Sequence, residues 1–299
     1  MRIRATVAAV SGALALSALA VPAAQAADSA SVADIAKTWG LSTTASGKSA
    51  FRASTATAAA TLDVTFSDVK VNKGKPIVVG TTKHVVTPVT YTLTHGADVD
   101  ITSPKFLNGP VLYLGSKLTL DSSDVLSGDE PGTCTATSAT TASCTADLDF
   151  YPGDGGLVNS DARTWKVGGV ALKDNGNAEP GTALQSDLGT VKLQRYSKLT
   201  VNASPEPVKK GRTITVTGAL TRANWETNKY AGYTSQSVAL QFKKKGATSY
   251  TTVKTIKSDS RGNLKTTVTA SVDGTFRYSF AGTSTTPAVN SAGDAIDVQ

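Results

Sequence analysis

The chain has 299 residues, a net charge of +7, only two cysteines and a single methionine, the first residue. Aromatic residues make up 6% of it and Thr, Val, Ser and Gly are abundant, a mixture that suits strands and turns and excludes a helical bundle. The charge is uneven: residues 27–190 carry 12 basic against 17 acidic side chains and residues 191–299 carry 16 against 6, so any polyanion would meet the second half.

Residues 1–26 read as an export signal. Arg2 and Arg4 give a positive start, Val7 to Val21 is small and apolar, and Ala24-Gln25-Ala26 is a cleavage site. The apolar run is too short and Ala-rich for a membrane span, and no Cys follows to carry a lipid, so the remaining chain is expected to be secreted and soluble. Residues 27–61 should hold a short helix and a linker. Ser31 can cap the helix with Asp34 three residues on, Val32, Ile35, Ala36 and Trp39 share one face, and Gly40 ends it. Trp39 is expected to dock on the body of the protein. Ser42 to Ala60 is Ser, Thr and Ala, the composition of a flexible linker.

Residues 62–190 are expected to form a first, acidic β-sandwich. Alternating segments fall at Leu62-Val64-Phe66, Ile77-Val79, Val85 to Leu93, Val111 to Leu114 and Leu118-Leu120, separated by Gly, Pro, Asn and Asp clusters. Pro88 cannot donate to a ladder and belongs at an edge or bulge. Cys134 and Cys144 flank nine small residues; folded as a hairpin about Ala139, the two oppose each other and form a disulfide. Closing so short a loop contributes on the order of 2 to 3 kcal/mol. Leu148, Phe150, Trp165-Val167 and Val170-Leu172 follow, with Trp165 as a core anchor, before the turn Asp174-Asn175-Gly176-Asn177.

Residues 191–299 are expected to form a second, basic sandwich, joined through Leu188 to Val201, which reads as the last strand of one domain running almost directly into the next. Strands at Leu199-Val201, Ile214-Val216, Val238 to Phe242, Tyr250 to Ile256, Leu264 to Val268, Phe276 to Phe280 and Ile296-Val298 approach the seven of an immunoglobulin-like fold. Asn224 to Tyr233 is the one loop rich in large aromatics. Two internal echoes support tandem domains. Val71 to Val79 and Val208 to Val216 both fit Val-x-Lys-Gly-(Lys/Arg)-x-Ile-x-Val, with Gly74 and Gly211 supplying a positive φ before a strand. A looser echo places an Asp-led turn ahead of an aromatic strand around Trp165 and again at Asp273 to Tyr278.

From KLTVNASPEPVKKGRTITVTG through FRYSFAGTSTTPAV, the second half resembles the bacterial immunoglobulin-like modules of exported actinobacterial proteins. The whole chain is similar to a group of such secreted proteins that carries no established activity and is in places described as calcium-binding. That resemblance implies a β-sandwich and transfers no catalytic residue.

The chemistry follows the same lines. G-x-S-x-G, H-E-x-x-H, the P-loop and G-x-G-x-x-G are all missing, so a non-enzymatic protein is expected, with an unrecognised hydrolase or inhibitor as an alternative. His84 and His95 are the only histidines, and His95 before Gly96 reads as a solvated turn residue. Asp98/Asp100 and Asp147/Asp149 read as polar outer-face pairs. A second alternative is calcium: Asp147, Asp149 and Asp154 crowd one loop region and Asp174, Asn175 and Glu179 the next, although neither fits the twelve-residue calcium loop. The leading expectation is attraction to an anionic envelope or extracellular polymer, such as teichoic acid, nucleic acid or acidic polysaccharide. Lys209, Lys210 and Arg212 cap one turn, Lys243, Lys244 and Lys245 cap another, and Lys229 lies beside Trp225, Tyr230 and Tyr233, which would stack on the ligand.

Overall fold

The computed structural model describes residues 31–40, 61–174 and 181–299. The export signal expected at residues 1–26, the linker expected from Ser42 to Ala60, and Asn175 and Glu179 lie outside the described residues.

The first domain is a two-sheet sandwich. One sheet has the order β1 (Val64–Val71), β3 (Val85–His95), β7 (Thr141–Phe150), β6 (Thr133–Ala136). The other runs β2 (Ile77–Val79), β10 (Thr190–Arg195), β8 (Thr164–Lys173), β4 (Phe106–Tyr113), β5 (Val125–Leu126), with β9 (Gly181–Gln185) also on β8. In immunoglobulin lettering these sheets are A-B-E-D and A′-G-F-C-C′, and β2 lies parallel to β10 as an A′ strand does to G. Alternation builds the core: Val89, Tyr91 and Leu93 of β3 point inward with Leu148 and Phe150 of β7, and meet Trp165 and Val167 of β8. Pro88 sits in a central strand, but past the last residue paired with β1, so its missing donor falls where β3 is locally an edge. Cys134 and Cys144 are cross-strand partners in the β6–β7 hairpin and form the disulfide.

Helix α1 (Val32–Thr38) starts with a complete capping box between Ser31 and Asp34. Its buried Val32, Ile35, Ala36 and Trp39 cover the outer face of β4 and β8, which is why β4 is buried along its whole length rather than in alternation. Trp39 donates to Gly128 O at 3.1 Å. Gly109 makes room for it, because a Cβ there would stand 3.0 Å from the indole. Leu118 belongs to the same cluster, but the expected strand Leu118-Leu120 is a turn segment. Its apolar residues are explained by packing in the cluster on the outer face of β4 and β8, with Leu118 against Gly168, not by a ladder.

The second domain pairs β11 (Ser197–Leu199), β12 (Asn202–Ser204), β14 (Lys229–Gly232) and β17 (Asn263–Thr269) with the long β13 (Thr213–Asn224). Facing it is the order β16 (Thr251–Lys257), β15 (Ser237–Lys244), β18 (Gly274–Phe280), with β19 (Val289–Asn290) and β20 (Asp294–Ile296) on β18. This is A-B-E against C′-C-F-G. Tyr278 crosses the core and donates to Val216 O of the opposite sheet at 2.9 Å.

The change from one sandwich to the next comes within the segment Leu188 to Val201, at Tyr196. β10 pairs with β2 and β8 and so belongs to the first sandwich, and β11 begins the second one residue after Tyr196. The two echoes also change standing. Gly74 and Gly211 both have positive φ, as expected. The first copy, however, leads from A into A′, whereas the second leads from Val208, bridged to Val298, into strand B. The tighter echo is therefore offset by one strand. The looser one, before β8 and before β18, marks equivalent F strands.

Candidate functional site

Two basic turns meet at one end of the second domain. Lys209, Lys210 and Arg212 precede β13 and are all exposed; the turn is held by Gly211 N–H donating to Ala270 O at 2.7 Å and by Lys210 N–H donating to Gln299 O at 2.8 Å. Val298, next along, donates to Asp273 Oδ1 at 2.9 Å, and Asp273 in turn receives the Lys245 ammonium at 3.2 Å and, at its carbonyl, the Lys245 N–H at 2.9 Å. The segment Asp297 to Gln299 thus stands between the turns and ties them together. The Val298 amide, followed by Lys245, holds the Asp273 carboxyl below its usual range. Lys244 is exposed and Lys243 lies 5.1 Å over the Tyr250 ring.

Beside this tip, Tyr250 also carries the Arg277 guanidinium at 3.9 Å, and Arg277 donates to Gln241 Oε1 at 2.8 Å. Neither Tyr250 nor Arg277 was singled out from the sequence. The signal was available: in Gly274 to Phe280 the inward residues are Phe276, Tyr278 and Phe280, which leaves Arg277 on the outer face beside the basic hairpin.

The aromatic loop stands at the other end. Trp225 is 1% exposed, packs into the core of the first domain, and donates from Nε1 to Gly80 O at 2.8 Å. It is a wedge between domains and is not free to stack on a ligand. Tyr233 is buried in the second core with Arg222 at 3.9 Å over its ring. Tyr230 is half-buried, with Lys198 at 3.7 Å over its ring and Tyr196 edge-on at 6.4 Å. Lys229 is exposed but belongs to this end too. The expected set of basic and aromatic residues is therefore split: Lys209, Lys210, Arg212 and Lys243 to Lys245 come together, whereas Trp225, Lys229, Tyr230 and Tyr233 lie with the junction. The β13 strand separates the groups by twelve residues, a span of roughly 35 Å.

Polar bonds complete the junction. Asn159 Nδ2 donates to Asn224 Oδ1 and Glu226 Oε2, Asn228 Nδ2 donates to Gly153 O, and Gln194 Nε2 donates to Thr283 O. Tyr196 N–H donates to Val79 O and Arg195 Nε to Ala223 O. Burial, with Arg222 nearby, lowers the Arg195 guanidinium to about 10.

Of the six residues of the calcium alternative, Asp147, Asp149, Asp154 and Asp174 lie among the described residues. Asp147 is exposed on β7, Asp149 is engaged by His84 Nε2 at 2.7 Å and by the Asp129 N–H at 3.0 Å, and Asp174 follows the far end of β8 beside Lys105 at 3.8 Å. Asp154 lies in the turn after β7. Among the described residues no group of three or more His, Cys, Asp or Glu is placed to hold a metal ion. Asp98 and Asp100 lie in a turn, not a strand, where Asp100 accepts from Thr102. His95 is buried rather than solvated, with Nδ1 2.9 Å from Gly96 O, because it is the last inward position of β3. His84 stacks on Tyr151 with centroids 4.1 Å apart, and the Tyr151 hydroxyl donates to Asp129, a bond that raises Tyr151 to about 12.

No family model and no curated protein matches the chain. Among solved structures it is similar to the adhesin InvE of Yersinia pseudotuberculosis, at 13% identity and a TM-score of 0.24, over 78% of this chain and 58% of that one. It is also similar to fibronectin(III)-like modules of Clostridium thermocellum CbhA, at 11% identity and a TM-score of 0.25, over 77% and 92% of the two chains. The D00-D0 domain of intimin aligns at 15% identity and a TM-score of 0.24, over 76% and 98%.

Proposed function

We propose that the protein is a secreted, non-enzymatic binding protein whose second domain engages anionic envelope or extracellular polymers through the tip formed by Lys209, Lys210, Arg212 and Lys243 to Lys245. The observation that carries the reading is the convergence of two basic turns, far apart in sequence, on one end of the domain. Six cations share that end with two acids, the exposed Asp297 and Asp273, whose carboxylate is already held by a backbone amide and by Lys245. Exposed charges of this kind attract a polyanion over about 10 Å at physiological salt and are screened as salt rises. Tyr250, braced by Arg277 and Lys243, supplies an aromatic at this end and takes the place that Trp225 cannot fill.

Retention of the protein on immobilised teichoic acid and heparin tests this. The parent should elute with salt; changing Lys209, Lys210 and Lys244 together to Glu should move elution to markedly lower salt, whereas the same change in charge made away from the tip, Lys254, Lys257 and Lys265 together to Glu, should shift it less. Equal shifts for the two triple variants would mean that net charge, not the tip, governs binding, and the site would be abandoned.

A further inference from the structure

The first domain carries an open groove whose character is opposite to that of the basic tip. On the outer face of the sheet β1-β3-β7-β6, cross-strand pairing lines up Thr90, Thr145 and Thr133 in one row, Pro88 with Asp147 in the next, and Val86 with Asp149 in the one after. A groove of about 610 Å³ runs over these rows. At its end stand the stacked rings of His84 and Tyr151. Each ring is pinned at its polar edge, His84 by Asp149 and Tyr151 by Asp129, so the rings are set in place before any ligand arrives. Val86 is 50% exposed on the groove floor, beside Pro88.

We infer that this groove binds a neutral saccharide. A sugar ring offers an apolar C–H face and a rim of hydroxyls. The floor offers matching parts: Val86, Pro88 and the aromatic pair for the face, the Thr90, Thr133 and Thr145 hydroxyls as donors and acceptors, and the carboxylates of Asp147 and Glu130 as acceptors for sugar O–H groups. The same carboxylates repel the polyanion proposed for the second domain. A metal ion does not fit, because His84 and Asp149 are spent on each other and no metal-binding group forms among the described residues. The inference is independent of the basic tip, which lies in the other domain.

The test is binding of the mature chain to immobilised cello-, chito- and malto-oligosaccharides, with heparin as the charged comparator. At least one neutral oligosaccharide should bind, Thr145→Arg should weaken it by about tenfold or more by filling the groove from an exposed position, and Tyr151→Ala should do the same by removing the platform. The Lys209/Lys210/Lys244 variant should bind the sugar as the parent does, and unchanged melting temperature for Thr145→Arg confirms that the fold is intact. Failure of every neutral oligosaccharide to bind, or binding that survives Thr145→Arg, would overturn the inference.

Discussion

Tyr91 and Tyr278 each place a hydroxyl inside a sandwich, Tyr91 donating to Asn108 Oδ1 at 2.5 Å and Tyr278 to Val216 O. Burial raises both acids, Tyr278 to about 12, while the hydroxyl bond to Asp129 raises Tyr151 to a similar value. In the unfolded chain these groups ionise near 10. The folded state therefore keeps protons that the unfolded state releases: the contribution to stability is complete below about 10 and is lost as pH rises through about 12. Tyrosinate absorbance should show two populations, with these three ionising last, and Tyr278→Phe should remove one tyrosine from the late group. A single early transition for all eight tyrosines would contradict this placement. The inward position of Tyr91 was legible in the alternation of Val89, Tyr91 and Leu93. Its partner was not, because Asn108 reaches it from the other sheet, and strand alternation carries no information across a sandwich.

At the scale of elements, local chemistry was the most readable. The capping box of α1 and the Cys134–Cys144 hairpin are set by neighbours a few residues apart, and both form as the sequence expects. Elements whose identity depends on what they pack against were less legible: Leu118 is apolar because it packs on β8 at Gly168, and the Val-x-Lys-Gly pattern recurs at different strands because a glycine turn into a buried strand is a general solution rather than a positional marker. The disulfide closes a loop between residues ten apart, within a hairpin whose other cross-strand pairs are small, Thr133 with Thr145 and Thr135 with Ser143. Replacing both cysteines with Ser should cost about 2–3 kcal/mol, the loop-closure contribution for that length. Hydrogen exchange should then rise most along β6 and β7 and less across β15 and β18, which share only the common unfolding transition. Equal loosening of both domains would mean that the bridge supports the whole molecule rather than its own hairpin.

The whole molecule is organised by a residue that charge and pattern alone could not place. Trp225 lies in an aromatic loop that, read in isolation, looks like a ligand platform; its burial is decided by the first domain, through Gly80 and the cluster around it. The basic tip was legible because runs of Lys mark turns in the sequence, whereas the loss of Trp225 and Tyr233 from it required the relation of two domains. With Asn159, Asn228, Gln194 and Arg195 also bridging the junction, the domains are expected to unfold together, in one calorimetric transition. Trp225→Ala removes a fully buried indole and leaves the Gly80 carbonyl without its donor, a loss of about 3–5 kcal/mol by the cost of large-to-small core changes. Because the indole fills a place in the first core but is carried by a loop of the second domain, its loss should uncouple the two and split the calorimetric trace into two transitions instead of shifting one. Elution from an anionic resin should stay where the parent elutes, since the tip lies roughly 35 Å along β13 from the wedge. A variant that still melts in one unshifted transition would show that the junction is not what couples the domains, and one that lost retention on the resin would place the binding surface at the junction after all.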